Sequence, residues 1–165
     1  MSKSNTVAEV KILKELHKVP GLMAQFGQNA ALRRLRHAKQ VLLVEDQLLS
    51  RRMMQQFLSR FTVVSEAVNV RSGLEHYLRH APDIVFLDID LPDDTGHTLA
   101  RIIKSIDPEA YVVMVTGNHT AEDVAAARSN NIEGYIIKPF SKQKIMNSLV
   151  KYLALHPNLV FEANV

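Results

Sequence analysis

From residue 41 onward, short unbroken apolar runs alternate with longer stretches in which apolar positions recur every three or four residues. The runs Val41-Leu42-Leu43-Val44, Ile84-Val85-Phe86-Leu87, Val112-Val113-Met114-Val115 and Tyr135-Ile136-Ile137 leave no alternate position for a wet face. They predict strands buried on both sides, as in a parallel sheet with helices covering both faces. Strands are predicted over 41–45, 62–66, 83–88, 111–116 and 134–138, and helices over about 48–60, 69–79, 96–105, 121–130 and 142–154. Strict strand–helix alternation of this kind specifies a five-stranded parallel, doubly wound α/β sheet.

The first 40 residues follow a different pattern. Thr6-Val7-Ala8-Glu9 has the form of a capping box, and Val10, Leu13, Leu16 and Val19, with Ile12, continue at helical spacing until Pro20-Gly21. A helix over 7–18 is predicted. A second, weaker helical stretch runs from Leu22 to Lys39, interrupted at Gly27 and ending in the basic cluster Arg33-Arg34-Leu35-Arg36-His37. A short amphipathic helix is stable in water only when its apolar stripe is buried. That stripe must therefore dock on the chain's own body, on the same helix of a second copy, or on a partner protein, and its narrow continuity favours a homodimer through the N-terminal helices. The arginine cluster would then be left to meet an acidic surface; nucleic acid is not supported by any recognised module.

Composition narrows the class. With 165 residues, 47% hydrophobic and 22% charged, the chain has enough apolar material for one buried core plus an appendage. It has no cysteine, so disulfide and zinc-thiolate frameworks are excluded. No apolar run approaches the roughly 20 residues that span a bilayer, and the N-terminus has no signal-peptide stretch, so a cytoplasmic protein is expected. The net charge of +3 is uneven: residues 1–40 carry eight Lys/Arg against two Asp/Glu, whereas residues 41–165 carry twelve against fifteen. The expected organisation is a basic helical extension over 1–38, an α/β domain over 39–155 and a short tail over 156–165, with no room for an output module after the last helix.

Each apolar strand delivers polar chemistry at its C-terminal end: Glu45-Asp46, Asp88, Thr116 and Lys138. In an open parallel sheet these ends share one edge, where loops open into a crevice. Three carboxylates brought together need a cation, because two charges about 4 Å apart repel by roughly 4 kcal/mol at an effective dielectric near 20. Mg²⁺ fits, since it takes hard oxygen ligands and commonly combines one or two carboxylates with a phosphate oxygen. Asp46 and Asp88 are the expected direct ligands, with the backbone carbonyl of Asp90, and Glu45 acts through water. Asp88 can attack phosphorus as a nucleophile while Lys138 and Thr116 stabilise the transferred oxygens.

The segments Val41 to Asp46, Phe86-Leu87-Asp88-Ile89-Asp90-Leu91-Pro92-Asp93-Asp94-Thr95-Gly96, Val113 to Gly117 and Gly134-Tyr135-Ile136-Ile137-Lys138-Pro139-Phe140 resemble the receiver domains of two-component response regulators. The resemblance covers about residues 40–155 and implies the flavodoxin-like receiver fold, with an N-terminal helical extension. It implies that Asp88 is the phosphoacceptor, supplied by a histidine kinase or phosphotransfer protein in a phosphorelay. It further implies that Glu45 and Asp46 form the metal-binding acidic pair, and that Thr116 and Lys138 bind the phosphoryl group. Tyr135 matches the family's aromatic switch, Asp90 and Asn118 occupy positions that tune dephosphorylation, and the Lys138-Pro139 bond is expected to be cis. Two other functions compete. A haloacid dehalogenase-like phosphohydrolase would also use an Asp88-Ile89-Asp90 motif, but its acidic pair follows the lysine, whereas here it precedes the acceptor. A receiver fold serving only as an interaction scaffold would be expected to have lost part of this constellation.

Overall fold

The structure is a computed structural model that describes residues 7–117 and 120–156. After two N-terminal helices, α1 (Val7–His17) and α2 (Leu22–Leu32), and a 3₁₀ turn at Arg33–Leu35, strands and helices alternate. They are β1 (Gln40–Val44), α3 (Leu48–Leu58), β2 (Val63–Ala67), α4 (Val70–His80), β3 (Ile84–Asp88), α5 (Gly96–Ile106), β4 (Val112–Thr116), α6 (Ala121–Ser129), β5 (Gly134–Ile137) and α7 (Lys142–Leu155). The five strands pair in the order β2-β1-β3-β4-β5, every pair parallel. The predicted architecture is the observed one, with element ends displaced by one or two residues.

The apolar runs are buried because each strand feeds two cores. Leu42, Val44, Val85, Leu87, Val112 and Met114 face one way, against Leu74 and Leu78 of α4 and Leu99 and Ile103 of α5. Val41, Leu43, Ile84, Phe86, Val113 and Val115 face the other, against Met54 and Leu58 of α3 and Ile145 and Leu149 of α7. The two-residue period of a strand divides the residues between the faces. Helix starts are fixed by side-chain caps: Asn69 accepts from the Ser72 amide, Thr95 from Thr98, Thr120 from Asp123 and Ser141 from Lys144.

The N-terminal extension departs from expectation. Its stripe packs on the same chain: Leu16, together with Leu22 and Phe26 of α2, belongs to the core of the α4/α5 face, and Ile12, Leu13 and Val19 pack against it. Much of the stripe expected to mate with a second copy is therefore covered within one molecule, with Val10 left exposed. Gly27 does not interrupt α2, because Leu22 and Phe26 are buried on α4 and the Phe26 ring lies 5.9 Å from that of Tyr77. Gly21 adopts φ 74° and turns the chain between α1 and α2, a conformation glycine takes without strain.

The basic cluster is also corrected. Arg33 is buried, donating to the Asp107 carboxylate at 2.5 Å, to the Ala81 carbonyl at 3.1 Å and to the Tyr77 hydroxyl at 3.4 Å. Arg36 donates to the carbonyls of His80 and Ala81. Two guanidiniums thus occupy the C-terminal end of α4, where unpaired carbonyls and the helix dipole favour positive charge. Of the three arginines, Arg34 alone is exposed, beside Glu109 at 3.2 Å. Glu9 and Arg101 pair between α1 and α5, and Glu15 and Arg71 at 3.0 Å between α1 and α4. Of the charge that read as an open arm, Arg33 and Arg36 are intramolecular clasps, while Arg34 and the lysines of α1 and the turn after it stay at the surface.

Candidate functional site

Because all strands are parallel, their C-terminal ends form one edge, and the order reverses between β1 and β3. The crevice at such a reversal is the expected ligand site of an open α/β sheet. Glu45 and Asp46 follow β1 directly and Asp88 closes β3, so the carboxylates flank that crevice from its two sides. One oxygen from each of Glu45, Asp46 and Asp88 lies within 4.8 Å of the others. Glu45 and Asp88 are buried while Asp46 is exposed. Lys138, just past β5, donates to Glu45 Oε2 at 2.6 Å and to Asp88 Oδ2 at 2.9 Å, and its peptide bond to Pro139 is cis. Glu45, Asp88 and Lys138 continue the alternation of Leu43, Phe86 and Ile136, which all lie on the α3/α7 side, so strand geometry brings the three together.

Electrostatics explain the arrangement. Burial raises the Glu45 pKa, and the negative charge of Asp88 adds to it, against the lowering effect of hydrogen bonds from Lys138 and the Gln47 amide. Burial alone would lower the Lys138 pKa, but its bonds to the two carboxylates outweigh this and the net shift is upward. The ammonium supplies one positive charge to three acids. A hard divalent cation suits what remains: the donors are all carboxylate oxygens, and the mouth of the site at Asp46 is open to solvent.

The loop after β3 is tightly built. The Asp90 amide donates to Asp88 Oδ1 at 3.2 Å, Asp90 pairs as an isolated bridge with Thr95, and its side chain is exposed. A Cβ at Gly96 would fall 2.0 Å from the Asp88 carbonyl oxygen, so α5 can begin hard against the acidic residue only with glycine there. The Asp93 carboxylate accepts from the amides of Val70 at 2.8 Å and Arg71 at 3.1 Å, tying this loop to the start of α4.

Thr116 is fully buried at the end of β4, one residue beyond the register partner of Asp88, Val115. By strand alternation it points with Met114 to the opposite side from Asp88. Tyr135 pairs with Met114 in the β4–β5 ladder and packs on the α4/α5 core, making it a diagonal neighbour of Thr116 on that face. The hydroxyl-bearing residue and the aromatic therefore form a second group behind the carboxylates. Asn118 lies outside the described residues.

The family model for the response regulator receiver domain matches residues 41–150. The chain belongs to this family. Among curated relatives, the chemotaxis protein CheY of Bacillus subtilis is 32% identical over 118 residues, covering 70% of this chain and 98% of the relative. The sensory transduction protein LytT of Bacillus anthracis is 36% identical over 117 residues, covering 68% of this chain but 46% of the relative, so the match spans about half of that longer protein. A crystal structure of a CheY-like receiver domain protein from Methanospirillum hungatei shares the fold, with TM-score 0.70 at 23% identity over 73% of this chain and 97% of that one. No helix among the described residues is long and apolar enough to cross a membrane.

Two residues that shape this receiver's site were not foreseen. Arg51 on α3 donates to the backbone carbonyls of Glu45 at 2.8 Å and Asp46 at 3.2 Å, and its Nε pairs with Glu66 at 3.0 Å, so it fixes the acidic pair from behind. Asp93 anchors the Asp88 loop. Both act on backbone groups of another element, and nothing in residue type or spacing signals such a bond in advance.

Proposed function

We propose that this chain is a phosphorylation-switched signalling protein in which Asp88 accepts a phosphoryl group from a histidine kinase or a phosphotransfer protein of a two-component phosphorelay. The observation that carries the reading is the shared ammonium: Lys138 is hydrogen-bonded at once to buried Asp88 and buried Glu45, with Asp46 at the solvent side. An Asp88 oxygen would attack phosphorus in line as the donor's phosphorus–nitrogen bond breaks. Lys138 would follow the incoming phosphoryl oxygens. Glu45, Asp46, Asp88 and the Asp90 carbonyl would hold Mg²⁺, which neutralises phosphoryl charge when bound. Thr116 would donate its hydroxyl to a phosphoryl oxygen, and Tyr135 would follow Thr116 as the aromatic switch. Phosphorylation then acts by favouring one arrangement of these groups over another that already exists.

The surface beside the site is suited to a protein donor. Leu48, Leu49 and Met53 of α3 are exposed at 59%, 75% and 54%, next to the mouth at Asp46. An apolar ridge at the entrance of an acidic crevice gives a partner somewhere to dock while it presents its phosphoryl group.

Incubation with acetyl phosphate and Mg²⁺ is expected to add one phosphoryl mass to the intact protein, and EDTA to prevent it. A chain that gains no phosphoryl group, and does not bind beryllofluoride with Mg²⁺, would be a docking scaffold instead. Asp90 and Asn118 are proposed to tune the lifetime of the phosphorylated form by orienting or blocking the attacking water. Asp90→Ala should change the dephosphorylation rate by several-fold, at nearly unchanged Mg²⁺ affinity; a rate within twofold of the parent would remove Asp90 from that role.

A further inference from the structure

Among the side-chain polar atoms buried without a hydrogen-bond partner among the described residues are Nδ1 and Nε2 of His97 and the hydroxyl of Tyr135. His97 stands in the first turn of α5, directly after Gly96, and Tyr135 stands on β5. Buried polar groups are almost always paired, so a cluster of unpaired ones asks what they are held ready to bond. His97 Nε2 lies 3.5 Å from Oδ1 of Asp123, in the first turn of α6. The other oxygen of Asp123 accepts from the amide of Thr120 at 3.1 Å and its hydroxyl at 3.0 Å, closing the capping box of α6. The Tyr135 phenol feels the same carboxylate: its pKa is raised by burial first and then by the charges of Asp123 and Asp90. Asp123 thus faces His97 across 3.5 Å while it caps α6, and its charge reaches the phenol of Tyr135, which packs on the α4/α5 core.

We infer that His97 is a positioning residue of the switch, which through Asp123 tethers the first turn of α6 to α5 and so holds Tyr135 in its resting place. The inference rests on the reading of Asp88 as the phosphoacceptor, with Thr116 as the group that follows phosphate. Thr116 is fully buried and a diagonal neighbour of Tyr135, so drawing it toward Asp88 vacates space on the Tyr135 side of the sheet. The chain from Thr116 reaches the α6 cap at Thr120 within four residues, and the same displacement pulls on that cap. The contact between His97 and Asp123 opposes the pull. An interaction made in one arrangement and weakened in the other biases the equilibrium by its own free energy. His97 accordingly favours the resting form without touching the phosphoryl site.

The test uses the full chain with isotopically labelled tyrosine, the Tyr135 ring signals being assigned with Tyr135→Phe. In unliganded His97→Phe, which fills the volume without a ring nitrogen, the Tyr135 signals are expected to move toward their positions in the Mg²⁺–beryllofluoride complex. The half-saturating beryllofluoride concentration should fall about fivefold, the size of effect a partly buried pair contact gives. His97→Gln, which keeps an N–H donor, should stay within twofold of the parent. Adding Asp123→Asn to His97→Phe should produce little further change, since both remove the same contact. Should His97→Phe not fold cooperatively, His97→Ala carries the same readouts. A parent protein that responds to beryllofluoride while His97→Phe leaves both Tyr135 and half-saturation unchanged would overturn the inference alone. A parent protein that does not respond at all would overturn the phosphoacceptor reading, and the inference with it.

Discussion

Asp88→Asn is expected to abolish phosphoryl uptake from acetyl phosphate while leaving the fold nearly as stable as before, and Lys138→Met to abolish it at a large cost in stability. The side-chain amide introduced by Asp88→Asn would fill the same volume and keep an oxygen for the backbone amide of Asp90, which lies 3.2 Å from the native carboxylate, but it has no anionic oxygen to attack phosphorus. Two changes in stability oppose each other: the repulsion with Glu45 disappears, and so does one charge-assisted bond to Lys138. The net change should be within about 1 kcal/mol. Lys138→Met instead leaves Glu45 and Asp88, both almost wholly buried, without their shared ammonium. Removing one partner from a buried charge cluster costs about 3–5 kcal/mol. Millimolar Mg²⁺ should restore part of that loss, since the cation takes over the neutralisation. Intact mass and urea unfolding, each with and without Mg²⁺, read both variants. Equal labelling of Asp88→Asn would refute the acceptor assignment, and a Lys138→Met protein as stable as the parent without metal would refute the electrostatic account of the site.

Arg33→Met should destabilise the protein by about 3 kcal/mol, because it leaves the largely enclosed Asp107 carboxylate beside Tyr77 without a counter-charge. For a chain of this size that corresponds to a fall in Tm of roughly 10 °C. Arg34→Met, one residue along, should change Tm little, its pair with Glu109 being exposed on both sides. The contrast matters more than either value. If both substitutions prove equally mild, the extension is not clamped as its hydrogen bonds describe, and the seat of α1 and α2 on the body is weaker than the burial of Leu16, Leu22 and Phe26 indicates.

The sheet and the acidic site were legible in the sequence because their signals are local. A run such as Val41 to Val44 can be buried on both faces or not at all, and the residue that ends it falls at the strand edge whatever the rest of the chain does. The caps Asn69, Thr95, Thr120 and Ser141 punctuate the helices in the same local way. The extension was not legible for the opposite reason. Its stripe announced that something must cover it, but the cover is a core shared with α2 and the α4/α5 face, and the counter-charge of Arg33 is 74 residues away. A cluster of arginines has the same composition whether it faces solvent or caps a helix end. Gly27 misled through propensity: a glycine costs a helix roughly 1 kcal/mol, less than the burial of Phe26 and Leu22 returns.

The clasp of the extension on α4 also sets an order of events on the ribosome. Synthesis is vectorial, so α1 and α2 emerge before α4, as eleven-residue segments too short to hold helical structure alone in water. Their seat on α4 does not exist until Tyr77 and Ala81 have been made, and the guanidinium of Arg33 waits for Asp107, past the middle of the chain. Helices α1 and α2 are thus made before the elements that seat them and are placed after them. Throughout that interval Leu16, Leu22 and Phe26 travel uncovered, and elongation speed between residues 33 and 107 governs how long the nascent protein carries an exposed apolar face.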